Sequence, residues 1–99
     1  SLSPKVIGDL LRGDLGFDGV VVTDSIDMRA IADAWSPEGA AVEAVRAGAD
    51  LVVDAFNLTP GREHPAPSIV AALREAIDAT RVAESVERLE RLREQIQRA

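Results

Sequence analysis

Asp24 is the residue in this sequence best placed to do chemistry. It follows Gly19-Val-Val-Val-Thr23, a short β-branched run without polar alternation, which is the pattern of a strand buried on both faces, as in parallel sheets. A carboxylate at the C-terminal end of such a strand can act as a nucleophile, or it can simply cap the turn that follows. Taken by its position alone, a strand-end Asp is more often the cap. Met28, four residues on, reads as an apolar wall beside a ligand or as core filler, with filler the preferred reading. Asp27 reads as an N-cap. His64, the one histidine, stands among Pro and Gly in a polar loop and reads as solvated.

The elements that would position Asp24 are legible on both sides of it. Ser3-Pro4 is a helix start, because the hydroxyl can cap free amides and Pro fits the first helical position. Ile7, Leu10 and Leu11 then share a face, and Gly16 ends the helix in the left-handed position. Ser36-Pro37-Glu38 repeats the start signal with an acid in the first turn, and the helix runs Ala40 to Ala47 with Gly48 as its stop. Ala49-Asp-Leu-Val-Val53 is a second candidate for a strand buried on both faces. A loop from 57 to 67 separates this half from a helix over about 67–79 carrying Ile69, Val70, Leu73 and Ile77 on one side. A final helix carries Val82, Val86, Leu89, Leu92 and Ile96 in a narrow stripe. It packs on the body, with self-association the alternative, and Glu84–Arg88 and Glu87–Arg91 stand at i,i+4 on its other faces. Helix, strand, helix, strand, helix with short links implies a parallel α/β sheet.

Composition excludes several partners. A formal charge of −6 speaks against nucleic acid, whose binders carry a basic face. No apolar run approaches the ~18 residues that span a bilayer. With no cysteine there is neither a disulfide nor a thiolate metal site, and the compartment stays open between cytoplasmic and exported. No cofactor or metal site is read from the residues.

The segment Leu15-Gly-Phe-Asp-Gly-Val-Val-Val-Thr-Asp-Ser-Ile-Asp-Met28 closely resembles the part of family 3 glycoside hydrolases that holds the catalytic nucleophile. There an LGF-x-G turn leads into a barrel strand ending in Ser/Thr-Asp, with Met four residues later. Ser25 after Asp24, rather than Trp, resembles the β-N-acetylhexosaminidase branch. Leu2–Ile7 with Leu10–Arg12 is similar to the preceding helix, Ala40–Val53 to the final helix and strand of the barrel, and Glu84–Leu89 to the closing helix. The fold so implied is the last βα units of a TIM-type (β/α)8 barrel plus C-terminal helices. Residues 1–99 then form one partial domain, with 1–56 in the barrel, 57–67 a loop and 68–99 the terminal helices.

What the resemblance implies for activity is specific. Asp24 would attack the anomeric carbon in a retaining double displacement on terminal β-linked N-acetylhexosamine, with an acid about 5 Å away protonating the leaving oxygen. Met28 would be the wall beside the sugar. Trp35 could stack on a sugar ring, although a partly buried hinge residue is the preferred reading. The substrate would be a carbohydrate, an N-acetylglucosamine-containing glycoside derived from muropeptide or chitin. The acid/base of this branch is a His and an Asp in a Lys-His-Phe-Pro-Gly-His-Gly-like loop, and nothing here matches it; Lys5 and His64 stand in other contexts. About six of the eight βα units of a barrel are not in these residues. The chain therefore reads as starting partway through a longer protein, inactive and prone to self-association on its own.

Two other classes compete. One is a non-catalytic fragment or interaction module that keeps the scaffold. The other is a receiver-like signalling domain, because Asp50-Leu-Val-Val-Asp54 superficially resembles a phospho-acceptor strand with Asp54 as acceptor. A receiver also needs an acidic pair after its first strand and a Lys at a later strand end, and both are missing.

Overall fold

The computed structural model describes residues 3–26, 35–54 and 66–98. Their order is α1 (Lys5–Asp14), β1 (Val22–Ser25), α2 (Pro37–Ala47), β2 (Leu51–Val53), α3 (Ala66–Ala76) and α4 (Ala79–Arg98). The strands pair in parallel, Val22 opposite Leu51 and Ser25 opposite Val53, with an irregularity of register between these pairs. The expected alternation of helix and strand is thus present as an α/β unit.

α2 forms where its signals lie. Ser36 Oγ accepts from the Gly39 amide at 3.0 Å, Pro37 opens the helix, and Gly48 closes it at φ 127°, a conformation that L side chains rarely adopt. A Cβ on Gly48 would stand 2.6 Å from Ile7 Cγ2, so the same glycine lets α1 approach. Ala40, Ala41, Ala44 and Ala47 are buried; their small side chains bring the helix close to its neighbours. Ile26, Ala40, Ala41 and Ile69 make the core, with Val52 and Leu73 packed against it. Met28, Asp27 and His64 lie outside the described residues, as does most of the 57–67 loop.

α1 starts and stops as expected but is wound differently. Ser3 Oγ accepts from the Val6 amide at 3.3 Å, and Gly16 lies at φ 66° beyond the last turn. Its hydrogen bonds span five residues, as in Leu15 N–H to Leu10 O at 2.9 Å, which is the wider π pitch rather than the α pitch. Of its apolar face, Ile7 is buried while Leu10 is 47% exposed.

Burial of the strands on both faces does not hold. Thr23 is buried and Val52 meets the core, but Val22 is 52% exposed, Leu51 41% and Val53 40%. The sheet therefore has one face against the helices and one open face. β1 also begins later than its sequence run. The Gly19 carbonyl accepts from Arg12 Nη1 at 2.9 Å, and the Val21 carbonyl accepts from the Asp50 and Leu51 amides, so this stretch is tied down before regular pairing starts.

α4 differs most from expectation. None of its residues is buried, and Val82, Val86, Leu92 and Ile96 stand substantially exposed, so the apolar stripe does not seat on the body. Arg88 and Arg91 do not turn back to Glu84 and Glu87. Arg88 reaches Asp50, and Arg91 donates to Asp18 Oδ2 at 2.8 Å. That hydrogen bond from Arg91 holds the Asp18 carboxyl below its usual range.

The centre of these contacts is Asp50, whose side chain is fully enclosed. Its Oδ2 accepts from Arg12 Nη2 at 2.7 Å and from the Val21 amide at 3.0 Å. Its Oδ1 accepts from Ser85 Oγ at 2.6 Å and Arg88 Nη1 at 3.1 Å, with Arg81 Nη1 at 3.8 Å. The arginines also bind backbone, Arg12 to the Gly48 carbonyl at 2.8 Å and Arg81 to the Ala49 carbonyl at 2.8 Å. Burial by itself raises the Asp50 pKa. The bonds from Ser85, Val21 and Arg88 and the charge of Arg12 outweigh it, and the net shift is downward.

Two outcomes follow. Asp50→Ala leaves the largely enclosed side chains of Arg12, Arg81 and Arg88 without their counter-ion, and a broken buried pair costs about 3–5 kcal/mol; urea unfolding of the full-length protein should show a loss approaching that size. The acid dependence has a definite sign. A depressed carboxyl pKa contributes stability above its unfolded value, near 3.8 here, and loses it as pH falls through the folded value. Thermal midpoints should fall below pH 4 in the wild type and fall less over that window in Asp50→Ala.

Candidate active site

Asp24 lies one residue before the end of β1. Strand alternation sets its side chain on the same face as Val22 and opposite Thr23. Val22 and Asp24 are exposed and Thr23 is buried, so the carboxylate stands on the open face of the sheet with Leu51 and Val53 alongside. The strand end that holds it is firmly built. Thr23 Oγ1 accepts from the Val53 amide at 3.0 Å, and the Ile26 amide donates to the Val53 carbonyl at 2.8 Å. The arginines of the Asp50 cluster bind at the other end of the strands, leaving Asp24 outside their hydrogen-bond network.

A carboxylate so placed has strand-bonded residues on both sides, an accessible side chain and apolar neighbours. It can attack an electrophilic carbon or accept a proton without first breaking an ion pair. Trp35, immediately before α2, is 40% exposed. It borders a shallow groove between α2 and α3 with Glu38, Glu43, Arg46 and Glu75. Among the described residues no grouping of three or more His, Cys, Asp or Glu could hold a metal ion, and no helix is long and apolar enough to cross a membrane.

Residues 1–98 match the model of the glycosyl hydrolase family 3 N-terminal domain. The chain belongs to glycosyl hydrolase family 3. Beta-hexosaminidase A of Pseudoalteromonas piscicida is 40% identical over 53 residues, covering 54% of this chain and 9% of that protein. Among solved structures, a family 3 beta-N-acetylglucosaminidase from Paenibacillus sp. str. FPU-7 superposes over 94% of this chain and 18% of its own, at 39% identity and TM-score 0.77. A beta-N-acetylhexosaminidase from Beutenbergia cavernae covers 92% of this chain and 27% of its own, at 36% identity and TM-score 0.74. The chain spans 9 to 14% of the length of the curated relatives it matches.

Family membership agrees with the resemblance carried by Leu15–Met28. Two features escaped sequence reasoning. The Asp50 cluster joins residues 38 positions apart, and its one local signal was an acid directly after the helix-stop Gly48-Ala49. The other is Asp54, just past β2, whose two carboxylate oxygens are buried and have no hydrogen-bond partner among the described residues. Its sequence context offers only the receiver-type resemblance of Asp50–Asp54.

Because Asp24 is exposed and outside the Asp50 cluster, Asp24→Asn should leave folding intact. Its unfolding free energy is expected within about 0.5 kcal/mol of wild type, as for other surface changes. Urea denaturation of the two proteins side by side measures this; a loss of several kcal/mol would make Asp24 a structural residue.

Proposed function

We propose that this chain forms the C-terminal part of a family 3 catalytic (β/α)8 barrel and that Asp24 is the nucleophile of a retaining glycosidase. The carrying observation is an exposed carboxylate at the C-terminal end of a parallel strand, the end where barrel enzymes keep their active sites. In this reading residues 1–99 are one partial domain, with 1–56 contributing βα units and 68–99 the terminal helices. The open face bearing Val22, Leu51 and Val53 turns toward the barrel interior. The substrate class, terminal β-linked N-acetylhexosamine, rests on the relatives named beta-hexosaminidase and beta-N-acetylglucosaminidase.

The reaction balances as a double displacement. An Asp24 oxygen forms a bond to the anomeric carbon as the glycosidic bond breaks, and the departing oxygen takes a proton from an acid. Water then attacks the same carbon from the face the aglycone left, giving a proton to the conjugate base of that acid; the bond to Asp24 breaks, Asp24 leaves as the carboxylate, and configuration is retained. The acid belongs to a part of the protein outside these residues, so the 99-residue chain alone is inactive. General acid catalysis contributes about 10²–10⁴-fold, and its loss accounts for that. Met28 is proposed as the apolar wall beside the sugar.

The alternative for an N-acetyl sugar is attack by its own amide oxygen, with Asp24 positioning that group. A slow fluorinated substrate separates the two in the full-length enzyme. Trapping should add one sugar mass to the peptide containing Asp24, and Asp24→Ala should lose both labelling and turnover, with azide restoring cleavage to an inverted product. Label on another residue, or inversion by the wild type, rules the assignment out.

A further inference from the structure

We infer that Thr23 is a positioning residue for the nucleophile, holding a bulge in β1 that aims Asp24 away from the sheet. The inference rests on the reading of Asp24 given above. Val22 pairs with Leu51 and Ser25 pairs with Val53, so two residues of β1, Thr23 and Asp24, stand opposite Val52 alone. Regular pairing from Val22 onward would put Asp24, not Ser25, beside Val53. One extra residue in one strand is a β-bulge, which bends the strand, increases its twist and re-aims a side chain.

A bulge disturbs the ladder, and the backbone amides around it still need acceptors. Before the bulge, the Leu51 amide donates to the Val21 carbonyl at 3.2 Å. After it, the Ile26 amide donates to the Val53 carbonyl at 2.8 Å. Between these two bonds the Val53 amide donates to a side chain, Thr23 Oγ1, at 3.0 Å. Thr23 is 5% exposed, on the face of the sheet opposite Asp24. The residue type suits the task. A β-branched side chain is stiff at χ1, so the hydroxyl keeps one direction. Val has the same shape without the acceptor, and Ser has the acceptor without the stiffness.

The Thr23 hydroxyl is bonded to the neighbouring strand and takes no part in the displacement. What it sets is the backbone from which the Asp24 carboxylate reaches the anomeric carbon. Attack needs the reacting atoms about 3–3.5 Å apart with their orbitals aligned, and a misplacement near 1 Å can cost about a hundredfold in rate. Without the hydroxyl, β1 can relax toward regular pairing with Asp24 beside Val53. A shift of one residue along a strand is about 3.3 Å, so even part of that relaxation spoils the line of attack.

The test uses the full-length protein as wild type, Thr23→Val, Thr23→Ala and Thr23→Ser, each well below its melting temperature. A slow fluorinated N-acetylglucosaminide gives two readouts by mass, the rate of sugar trapping on the Asp24 peptide and the final fraction of sites trapped. Thr23→Val should reach the wild-type fraction about ten- to hundredfold more slowly, with KM for a chromogenic N-acetylglucosaminide close to wild type. Thr23→Ser should recover most of the rate, because it restores the acceptor. Thr23→Ala leaves space for a water at the Oγ1 position and supplies the same reading if Thr23→Val does not fold. A merely structural role lowers the trapped fraction while the surviving sites react at the wild-type rate, and that result overturns the inference. So does Thr23→Ser trapping as slowly as Thr23→Val, or a failure of both the Val and Ala variants to fold. Label on a residue other than Asp24 in the wild type removes the nucleophile reading itself, which is distinguishable from Asp24 labelled at an unchanged rate in the Thr23 variants.

Discussion

A single buried carboxylate holds the described parts of this chain together. Asp50 is fully enclosed and accepts bonds from α1 through Arg12, from the chain entering β1 through the Val21 amide, and from α4 through Ser85 and Arg88. Apolar packing contributes little in α4, where no residue is fully buried and Val82, Val86, Leu92 and Ile96 stand exposed. Charges removed from water are costly, and a buried pair is tolerable only when geometry is good and the remaining donors and acceptors are satisfied. Here the arginines place their spare N–H groups on the carbonyls of Gly19, Val45, Gly48 and Ala49. Those carbonyls belong to the segments just before the two strands and to the end of α2. The same bonds that satisfy the charges therefore fix where the strands begin.

Fixing the strand beginnings has consequences at their other ends. With Gly19 and Val21 tied to Arg12 and Asp50, pairing is delayed to Val22 and reaches Ser25 through an irregularity of register that includes Asp24. The strand end is then locked by Thr23 Oγ1 and the Ile26 amide, both bonded to Val53. Asp24 is thus flanked by two residues bonded to the neighbouring strand, without being enclosed. The division is chemically sensible: arginines and counter-charges at one end of the sheet, and at the other a carboxylate free to meet a ligand.

The sequence disclosed what depends on local chain chemistry. Ser36-Pro37 with Gly48 bounded α2 because capping and left-handed backbone are local demands, and the β-branched runs at 20–23 and 51–53 marked the strands for the same reason. Asp24 stood out because a motif of fourteen residues, 15–28, carried it. What could not be read depended on distant partners. Arg88 at i,i+4 from Glu84 looks like a surface pair until Asp50, far earlier in the chain, competes for it, and the buried acceptor wins because its charge is less screened. The stripe of α4 predicted apolar seating, since periodicity records which face is apolar but not whether a surface is there to receive it. The strands misled similarly: runs of Val predict burial on two faces, and the described helices cover one.

The two carboxylates that flank β2 show why burial and pairing must be read together. Asp50 and Asp54 lie four residues apart on the same strand segment, and both have oxygens removed from solvent. At Asp50 the removal is repaid by a full set of donors, and the group is spent on structure. At Asp54 the same desolvation meets an aliphatic cavity, and nothing among the described residues draws on the carboxylate. Burial alone therefore does not decide what a carboxylate does, because the low local dielectric that strengthens a hydrogen bond when it is made also raises the cost of one that is not. Sequence spacing alone would class the two as equivalents; their surroundings make one a fastening and leave the other without a hydrogen-bond partner among the described residues.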